Sequence, residues 1–232
     1  IVIMDTGIAP VILHGHLSIL KELSGEDVVV TSVFSKRLGG SSPKRIEQLC
    51  RIYVEAAYNL GAKVVILCNT MDANSRIILE KEFSIPILGP IVPAVEAMLR
   101  LEKVNGVGAK NIGIVATKST IESGAYINEI RKHNKEIGIF SVAAPLFATM
   151  VDRGEFGKTG SQVISERDKS IIEANLRHLM EEDIDILILG CTHYGIFEQA
   201  IHGIWKSRTG REIQIVDSSR ELSRYTQAFL RQ

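Results

Sequence analysis

The sequence predicts an α/β protein in which helices cover both faces of parallel β-sheet. Aliphatic runs alternate with segments of helical spacing along nearly all of the 232 residues. The runs that end at Cys68 and Cys191 are apolar at almost every position, which is typical of strands buried on both faces. The order of strand, helix and cysteine also recurs in the second half of the chain, so the repeat is one of organisation.

Strands are predicted at residues 1–4, 28–34, 64–67, 112–116, 186–190 and 213–216. The clearest helix begins at Pro43, with Ser42 as its N-cap and the proline at the first helical position. Apolar side chains follow at helical spacing as far as Ala57, and the helix is predicted to end near Gly61. Cys50 lies on this apolar face, and we interpret it as a small buried core residue.

Prolines punctuate residues 86–93. Because proline ends helices and fixes the chain direction, we interpret this segment as a crossing between two structural units. The second unit then begins after residue 93.

Composition indicates a globular protein with no global electrostatic attraction to nucleic acid or membrane. The chain has 27 Lys and Arg against 27 Asp and Glu, and 45% of its residues are hydrophobic. No apolar run approaches the roughly 18 residues of a spanning helix, and no signal peptide is recognisable. The three cysteines have neither disulfide-framework nor zinc-ligand spacing, so we expect reduced thiols in the cytoplasm and no bound metal.

Cys68 and Cys191 each follow a buried strand at the point where a helix could begin. Open α/β sheets bind ligands at this end of their strands. A single buried cysteine is more often part of a core than of a catalytic site. Two thiols at matching positions in different halves of the chain favour paired acid/base catalysis instead.

The residues around both cysteines resemble a known family. Cys-Asn-Thr from Cys68 and Gly-Cys-Thr-His-Tyr from Gly190 are similar to the paired motifs of the aspartate/glutamate racemases, and most closely to those of glutamate racemases. The resemblance implies two open parallel-sheet α/β lobes that face each other across an active-site cleft. The first lobe would contain residues 1–92 together with 213–232, and the second residues 93–212.

The implied activity is racemisation of glutamate without a cofactor, in bacteria to supply D-glutamate for peptidoglycan. Racemisation removes an α-proton from one face of a carbon atom and returns a proton to the other, so two thiols in different lobes suit it. Asp5 would accept a hydrogen bond from Cys68 and relay its proton, and His193 would do the same for Cys191. The family has Asp-Ser-Gly where this chain has Asp5-Thr6-Gly7, which supports the assignment of Asp5.

Residues that would bind the substrate come from helix starts, which favour carboxylates, and from the resemblance. They are Thr6, Gly39, Gly40, Asn69, Thr70, Thr117, Thr120, Asp152 and Thr192. Asp152 would lie near the substrate amine. Four places depart from the family pattern: Ala9-Pro10 stand for a Gly-Gly pair, Leu38 for a tyrosine, Met71-Asp72 for two small residues and Gly195 for a proline. Asp72 would repel a second substrate carboxylate if it pointed into the site.

Other readings remain open. A racemase for aspartate or another acidic amino acid is the nearest alternative, and a catalytically silent small-molecule binding protein is a different class. No glycine-rich dinucleotide motif follows the first strand, and no lysine stands out as a pyridoxal ligand. A zinc or thiol-redox protein is disfavoured because His193 is the only close His or Cys partner of either thiol. A homodimer is an open alternative to a monomer.

Overall fold

Two separate parallel β-sheets form the framework of the protein. A computed structural model describes residues 2–4, 38–104, 110–152 and 164–231. Within these ranges every strand pairing is parallel. The predicted class, α/β with open parallel sheets in two units, is confirmed. The strand predicted at residues 28–34 lies outside the described residues.

Among the described residues, the first sheet has three strands in the order β1-β2-β3. They are β1 (Val2–Met4), β2 (Val65–Leu67) and β3 (Ile87–Leu88). β2 is central and buried at every position, as its continuous aliphatic run predicts. The sequence prediction missed β3 because only two residues pair with β2, at Val65↔Ile87 and Ile66↔Leu88, within a proline-rich segment.

In the part of the chain that the structure describes, the second sheet has four strands in the order β5-β4-β6-β7. They are β4 (Asn111–Ala116), β5 (Gly138–Ala143), β6 (Ile186–Gly190) and β7 (Gln214–Asp217). Alternate residues of β6 face opposite cores, because Ile186 and Ile188 join one apolar cluster while Leu187 and Leu189 join the other. β5 was not predicted, because every side chain of this edge strand is only half-buried and the apolar signal is weak.

Helices cover these sheets. In chain order they are α1 (Pro43–Asn59), α2 (Asn69–Glu82), α3 (Ile91–Val104), α4 (Lys118–Glu122), α5 (Ala125–His133), α6 (Pro145–Asp152), α7 (Glu166–Glu181), α8 (Glu198–Thr209) and α9 (Ser218–Leu230). The predicted start of α1 is confirmed, since the Ser42 side chain accepts a hydrogen bond from the Arg45 N–H. Cys50 is buried on the apolar face of α1, as predicted.

Two helices connect the sheets. Helix α3 runs from β3 of the first sheet to the second, so the predicted division between residues 92 and 93 falls within its first turn. The prediction placed residues 213–232 in the first lobe. Strand β7 pairs instead with β6, and only the following helix α9 reaches the first sheet, where Leu222 is buried with Val64 and Ile66. Helices α3 and α9 also pack against each other.

No helix in the described ranges combines the length and apolar character needed to cross a membrane.

Candidate active site

The two predicted catalytic cysteines lie at corresponding ends of the two sheets. Cys68 follows β2 directly and is the N-cap residue of α2, in an extended backbone conformation. Cys191 follows β6 directly. Both thiols are buried, with 6% and 5% of each residue exposed. The carboxyl ends of the strands therefore carry both thiols, as the sequence predicts.

Three threonine hydroxyls join the two halves of the site. Thr70 begins α2 of the first unit, whereas Thr117 and Thr120 flank the start of α4 in the second. The Thr70 hydroxyl lies 3.0 Å from that of Thr117 and 3.5 Å from that of Thr120. The Thr117 and Thr120 hydroxyls are 2.9 Å apart. These three predicted substrate-binding residues form one buried polar cluster.

Asn69 connects three segments beside Cys68. Its side-chain oxygen accepts a 2.6 Å hydrogen bond from the Tyr126 hydroxyl, and its amide donates one of 3.0 Å to the Ser218 hydroxyl. All three residues are buried. Gly124 sets the position of Tyr126, because its φ of 66° turns the chain into α5 through a backbone conformation that favours glycine. Asn69, at the start of the helix that follows the first sheet, is thus held by hydrogen bonds to residues of α5 and α9.

The segment after Cys191 brings His193 back to the thiol. The Cys191 Sγ and His193 Nδ1 atoms are 3.8 Å apart in a buried contact. Thr192, between them, is 3% exposed. The Tyr194 hydroxyl donates a 2.6 Å hydrogen bond to the Ala144 carbonyl and its ring packs edge-on against Phe147, so this segment is anchored at the end of β5.

Two buried phenols lie near the Cys191 thiol. Burial raises the pKa of Tyr126 and of Tyr194 well above the ordinary value, and negative charge on Cys191 adds to both rises. Both side chains therefore remain neutral hydrogen-bond donors at physiological pH. Tyr126 is therefore close enough to Cys191 for the charge of the thiolate to affect it, and its hydroxyl is also hydrogen-bonded to Asn69, which follows Cys68.

Of the residues that depart from the family pattern, Asp72, Leu38 and Gly195 take part in packing contacts, whereas Ala9 and Pro10 lie outside the described residues. The Asp72 carboxylate accepts hydrogen bonds from Arg76 Nε at 2.6 Å and from the Ile91 N–H at 2.9 Å, so both of its oxygens are engaged in packing contacts. Leu38 is buried in the same apolar cluster as Cys68. A Cβ atom on Gly195 would overlap the Asp217 carboxylate, and this leaves no room for a larger residue.

Other predicted site residues have a more limited description. Gly39 and Gly40 belong to a 3-10 turn, Leu38–Gly40, which packs against α4 and so lies beside Thr120. Asp152 is the last residue of α6, and its role stays a prediction. Asp5 and Thr6 lie outside the described residues. Within the part of the chain that the structure describes, no three His, Cys, Asp or Glu residues are grouped closely enough to hold a metal ion.

Sequence reasoning did not single out Tyr126, Ser218 or Asp217. Tyr126 lies six residues after the predicted site residue Thr120, but nothing local indicates its bond to Asn69. Asp217 and Ser218 directly follow the aliphatic strand β7. That signal, a polar residue at a strand end, identified Cys68 and could have identified them too.

Comparison with known proteins agrees with this architecture. The family model described as Asp/Glu/Hydantoin racemase matches residues 38–222. A glutamate racemase of Sulfurihydrogenibium sp. is 30% identical over 225 residues, which cover 94% of this chain and 77% of that protein.

Solved structures give the same result. A glutamate racemase of Bacillus anthracis superposes with a TM-score of 0.81 at 25% identity, over 99% of this chain and 80% of that one. A Francisella tularensis glutamate racemase, solved in complex with D-glutamate, superposes with a TM-score of 0.79 at 23% identity, over 99% and 80% of the two chains. The latter likeness concerns the fold alone. The chain therefore belongs to the Asp/Glu/Hydantoin racemase family, as its cysteine motifs predict, and is an amino-acid racemase.

Proposed function

We propose that this protein interconverts L- and D-glutamate without a cofactor, with Cys68 and Cys191 as the two acid/base groups. The observation that carries the proposal is the placement of two buried thiols at the carboxyl ends of β2 and β6, in different sheets joined by the threonine cluster. Relatives named glutamate racemase, which align over most of the chain, support glutamate as the substrate.

The two thiols work in alternation. One is deprotonated and takes the α-proton, and the electrons of the C–H bond remain on the α-carbon. The other thiol donates its proton to the opposite face and becomes a thiolate. The product has the inverted configuration, and the roles of the thiols are exchanged for the reverse reaction. Each thiol needs a nearby group that relays its proton. His193 supplies this for Cys191 through the 3.8 Å contact, and Asp5 for Cys68.

The threonine cluster is the best candidate for the α-carboxylate subsite. Thr70, Thr117 and Thr120 offer three hydroxyl donors, and the N-terminus of α2 adds unpaired backbone N–H groups and a favourable dipole. We also propose that Thr192 binds substrate beside Cys191, that Thr6, Gly39 and Gly40 bind its side-chain carboxylate, and that Asp152 binds its amine. Because Asp72 is bonded to Arg76 and Ile91, it does not argue against a second substrate carboxylate.

In a bacterial cytoplasm, this activity would supply D-glutamate for peptidoglycan precursors. A small acidic amino acid is then the partner that the site requires. Aspartate, which is one methylene shorter, is the alternative substrate, and a single methylene changes selectivity by only about 1 to 3 kcal/mol.

The first experiment incubates the protein with L- or D-glutamate or aspartate in deuterium oxide. We expect glutamate to have the higher kcat/KM. Early product should contain deuterium at the α-carbon while recovered substrate remains largely unexchanged. A higher kcat/KM for aspartate than for glutamate would make aspartate the assigned substrate. Incorporation of deuterium into recovered substrate as fast as into product would contradict a mechanism with two separate bases.

The second experiment separates the thiols. An acidic amino acid with a leaving group at the β-carbon needs one deprotonation, after which the C–H electrons form the Cα–Cβ double bond and the leaving group departs. Cys68→Ala and Cys191→Ala should each stop racemisation. Each variant should still eliminate the leaving group from one enantiomer of the analogue, and the two variants should act on opposite enantiomers. Cys50→Ala is the matched control, because this third thiol lies on α1 and is buried in the core that α1 shares with α2, and it should behave like wild type. A shared enantiomer preference of the two variants would refute the assignment.

A further inference from the structure

Two buried carboxylates hold the segments that carry the thiols. Asp72 lies on α2, one helical turn after Cys68. Its carboxylate caps the start of α3 by accepting from the Ile91 N–H, and it also pairs with Arg76. It lies against the backbone of Gly89, since a Cβ atom there would overlap it. Asp72 thus fixes the helix that begins at Cys68 to the chain segment that enters α3.

Asp217 makes a corresponding contact in the other sheet. It is the N-cap of α9, where its carboxylate accepts from the Ser219 N–H at 2.9 Å and the Ser219 hydroxyl at 2.8 Å. The same carboxylate lies against Gly195, four residues after Cys191. It is 7% exposed, and Asp72 is 5% exposed. Asp217 thus fixes the segment that follows Cys191 to the start of α9.

Asp72 and Asp217 correspond to each other because each contacts the start of one of the two helices that connect the sheets. Helices α3 and α9 link the sheets and pack against each other, and one of these aspartates caps the start of each, Asp72 at Ile91 of α3 and Asp217 as the N-cap of α9. Asp72 is bonded to Arg76 and to the Ile91 N–H, and Asp217 is bonded to Ser219, so each carboxylate acts through a packing contact. Each sets the position of one thiol-bearing segment relative to the junction of the sheets.

We infer that Asp72 and Asp217 are a matched pair of positioning residues, Asp72 for Cys68 and Asp217 for Cys191. This inference rests on the proposed function, in which both thiols must meet opposite faces of one carbon atom. A misplacement of about 1 Å at a reacting group can lower the rate by roughly 100-fold. Rigid support for each thiol separately is therefore a requirement of a two-base reaction.

The test uses Asp72→Asn and Asp217→Asn, which keep side-chain shape and one acceptor oxygen. Asp168→Asn is the matched control, because Asp168 is 5% exposed and bonded to Ser165 at the start of α7, a helix whose start follows neither thiol. The first readout is the rate of alkylation at each cysteine, followed by peptide mass spectrometry. We expect Asp72→Asn to change the rate at Cys68 by about 3-fold or more and Asp217→Asn the rate at Cys191, each with little change at the other thiol.

The second readout is elimination from the two enantiomers of the β-substituted analogue. Asp72→Asn should lower kcat about 10-fold or more for the enantiomer that Cys68 deprotonates, and Asp217→Asn for the other, with smaller changes in KM. If an asparagine variant does not fold, Gly89→Ala and Gly195→Ala perturb the same two contacts from the glycine side.

Equal effects of both variants on both thiols, or an effect of Asp168→Asn as large as theirs, would overturn the inference. The alkylation readout requires no turnover of glutamate. If wild type does not racemise glutamate and the alkylation rates still separate by thiol, the proposed substrate is wrong and the positioning roles are supported. If glutamate is racemised and the rates do not separate, the positioning roles are wrong and the substrate is supported.

Discussion

The hydrogen bond from Tyr126 to Asn69 gives a quantitative test of how the site is held. Tyr126→Phe keeps the buried ring and removes only the hydroxyl, which donates to the Asn69 oxygen at 2.6 Å. Asn69 is 1% exposed, so water cannot easily replace the donor. An unsatisfied buried acceptor costs about 1 to 3 kcal/mol. For a chain of this size, that corresponds to a fall in melting temperature of about 2 to 12 °C.

The same substitution should also slow catalysis. Asn69 follows Cys68 directly, and without the phenol its amide is held by Ser218 alone among the bonds described above. We expect kcat/KM for glutamate to fall about 10-fold, since small displacements of reacting groups are costly. Elimination should fall most for the enantiomer that Cys68 deprotonates.

Tyr194→Phe is the comparison variant, because it also removes a buried hydroxyl with a 2.6 Å bond, here to the Ala144 carbonyl. Calorimetry should find a similar loss of stability in both variants. Tyr194 lies in the Cys191 segment, so its elimination defect should affect the opposite enantiomer. Wild-type stability and rate in Tyr126→Phe, or the same enantiomer preference in both variants, would contradict the reasoning.

Three further predictions concern groups outside this bond. Burial raises the pKa of Asp72, so this carboxyl binds its proton more tightly in the folded protein than in the unfolded chain. The free energy of unfolding should therefore fall as pH rises above about 4. Denaturant titrations at several pH values should show this fall in wild type, and the contribution of Asp72 to it should be absent from Asp72→Asn. Trp205 is the single tryptophan and is fully buried, so its replacement by alanine should lower the free energy of unfolding by about 3 to 5 kcal/mol. Chemical denaturation followed by circular dichroism measures this loss. Burial raises the pKa of Cys50 to about 11, so little of this thiol is the reactive thiolate at neutral pH. Mass spectrometry after treatment with an alkylator should therefore find Cys50 unmodified when Cys68 or Cys191 has already reacted. Labelling of Cys50 before the other two thiols would contradict its burial.

The fold was predictable where the chain is buried on both sides. β2 and β6 are continuous aliphatic runs because each has core above and below it, and that leaves a clear signal in the sequence. β5 is an edge strand with half-buried side chains, and β3 pairs through only two residues, so neither has a local signature that exceeds that of a loop. β7 was located correctly, but its partner strand depends on long-range pairing that no local pattern records.

The site was predictable to the extent that it follows from strand ends. Thr70 and Thr117 each follow a strand closely, and parallel strands of the two sheets bring these positions together. The pairing of Asp72 with Arg76 is local, at i,i+4 on one helix, but the bond of Asp72 to the Ile91 N–H was not predictable because it depends on tertiary packing. The bond between Tyr126 and Asn69 likewise joins residues far apart in the chain.

Helix α9 has a consequence for the order in which the protein is made. Leu222 of α9 completes the apolar cluster of Val64, Ile66 and Leu88, which belong to the first sheet. During translation, this sheet leaves the ribosome long before α9, so one of its faces lacks that cover while the second unit is synthesised. Incomplete sheets with exposed apolar surface and unpaired edges are prone to aggregation. The first unit is therefore where a chaperone would bind the nascent chain, and release would follow the emergence of residues 218–230.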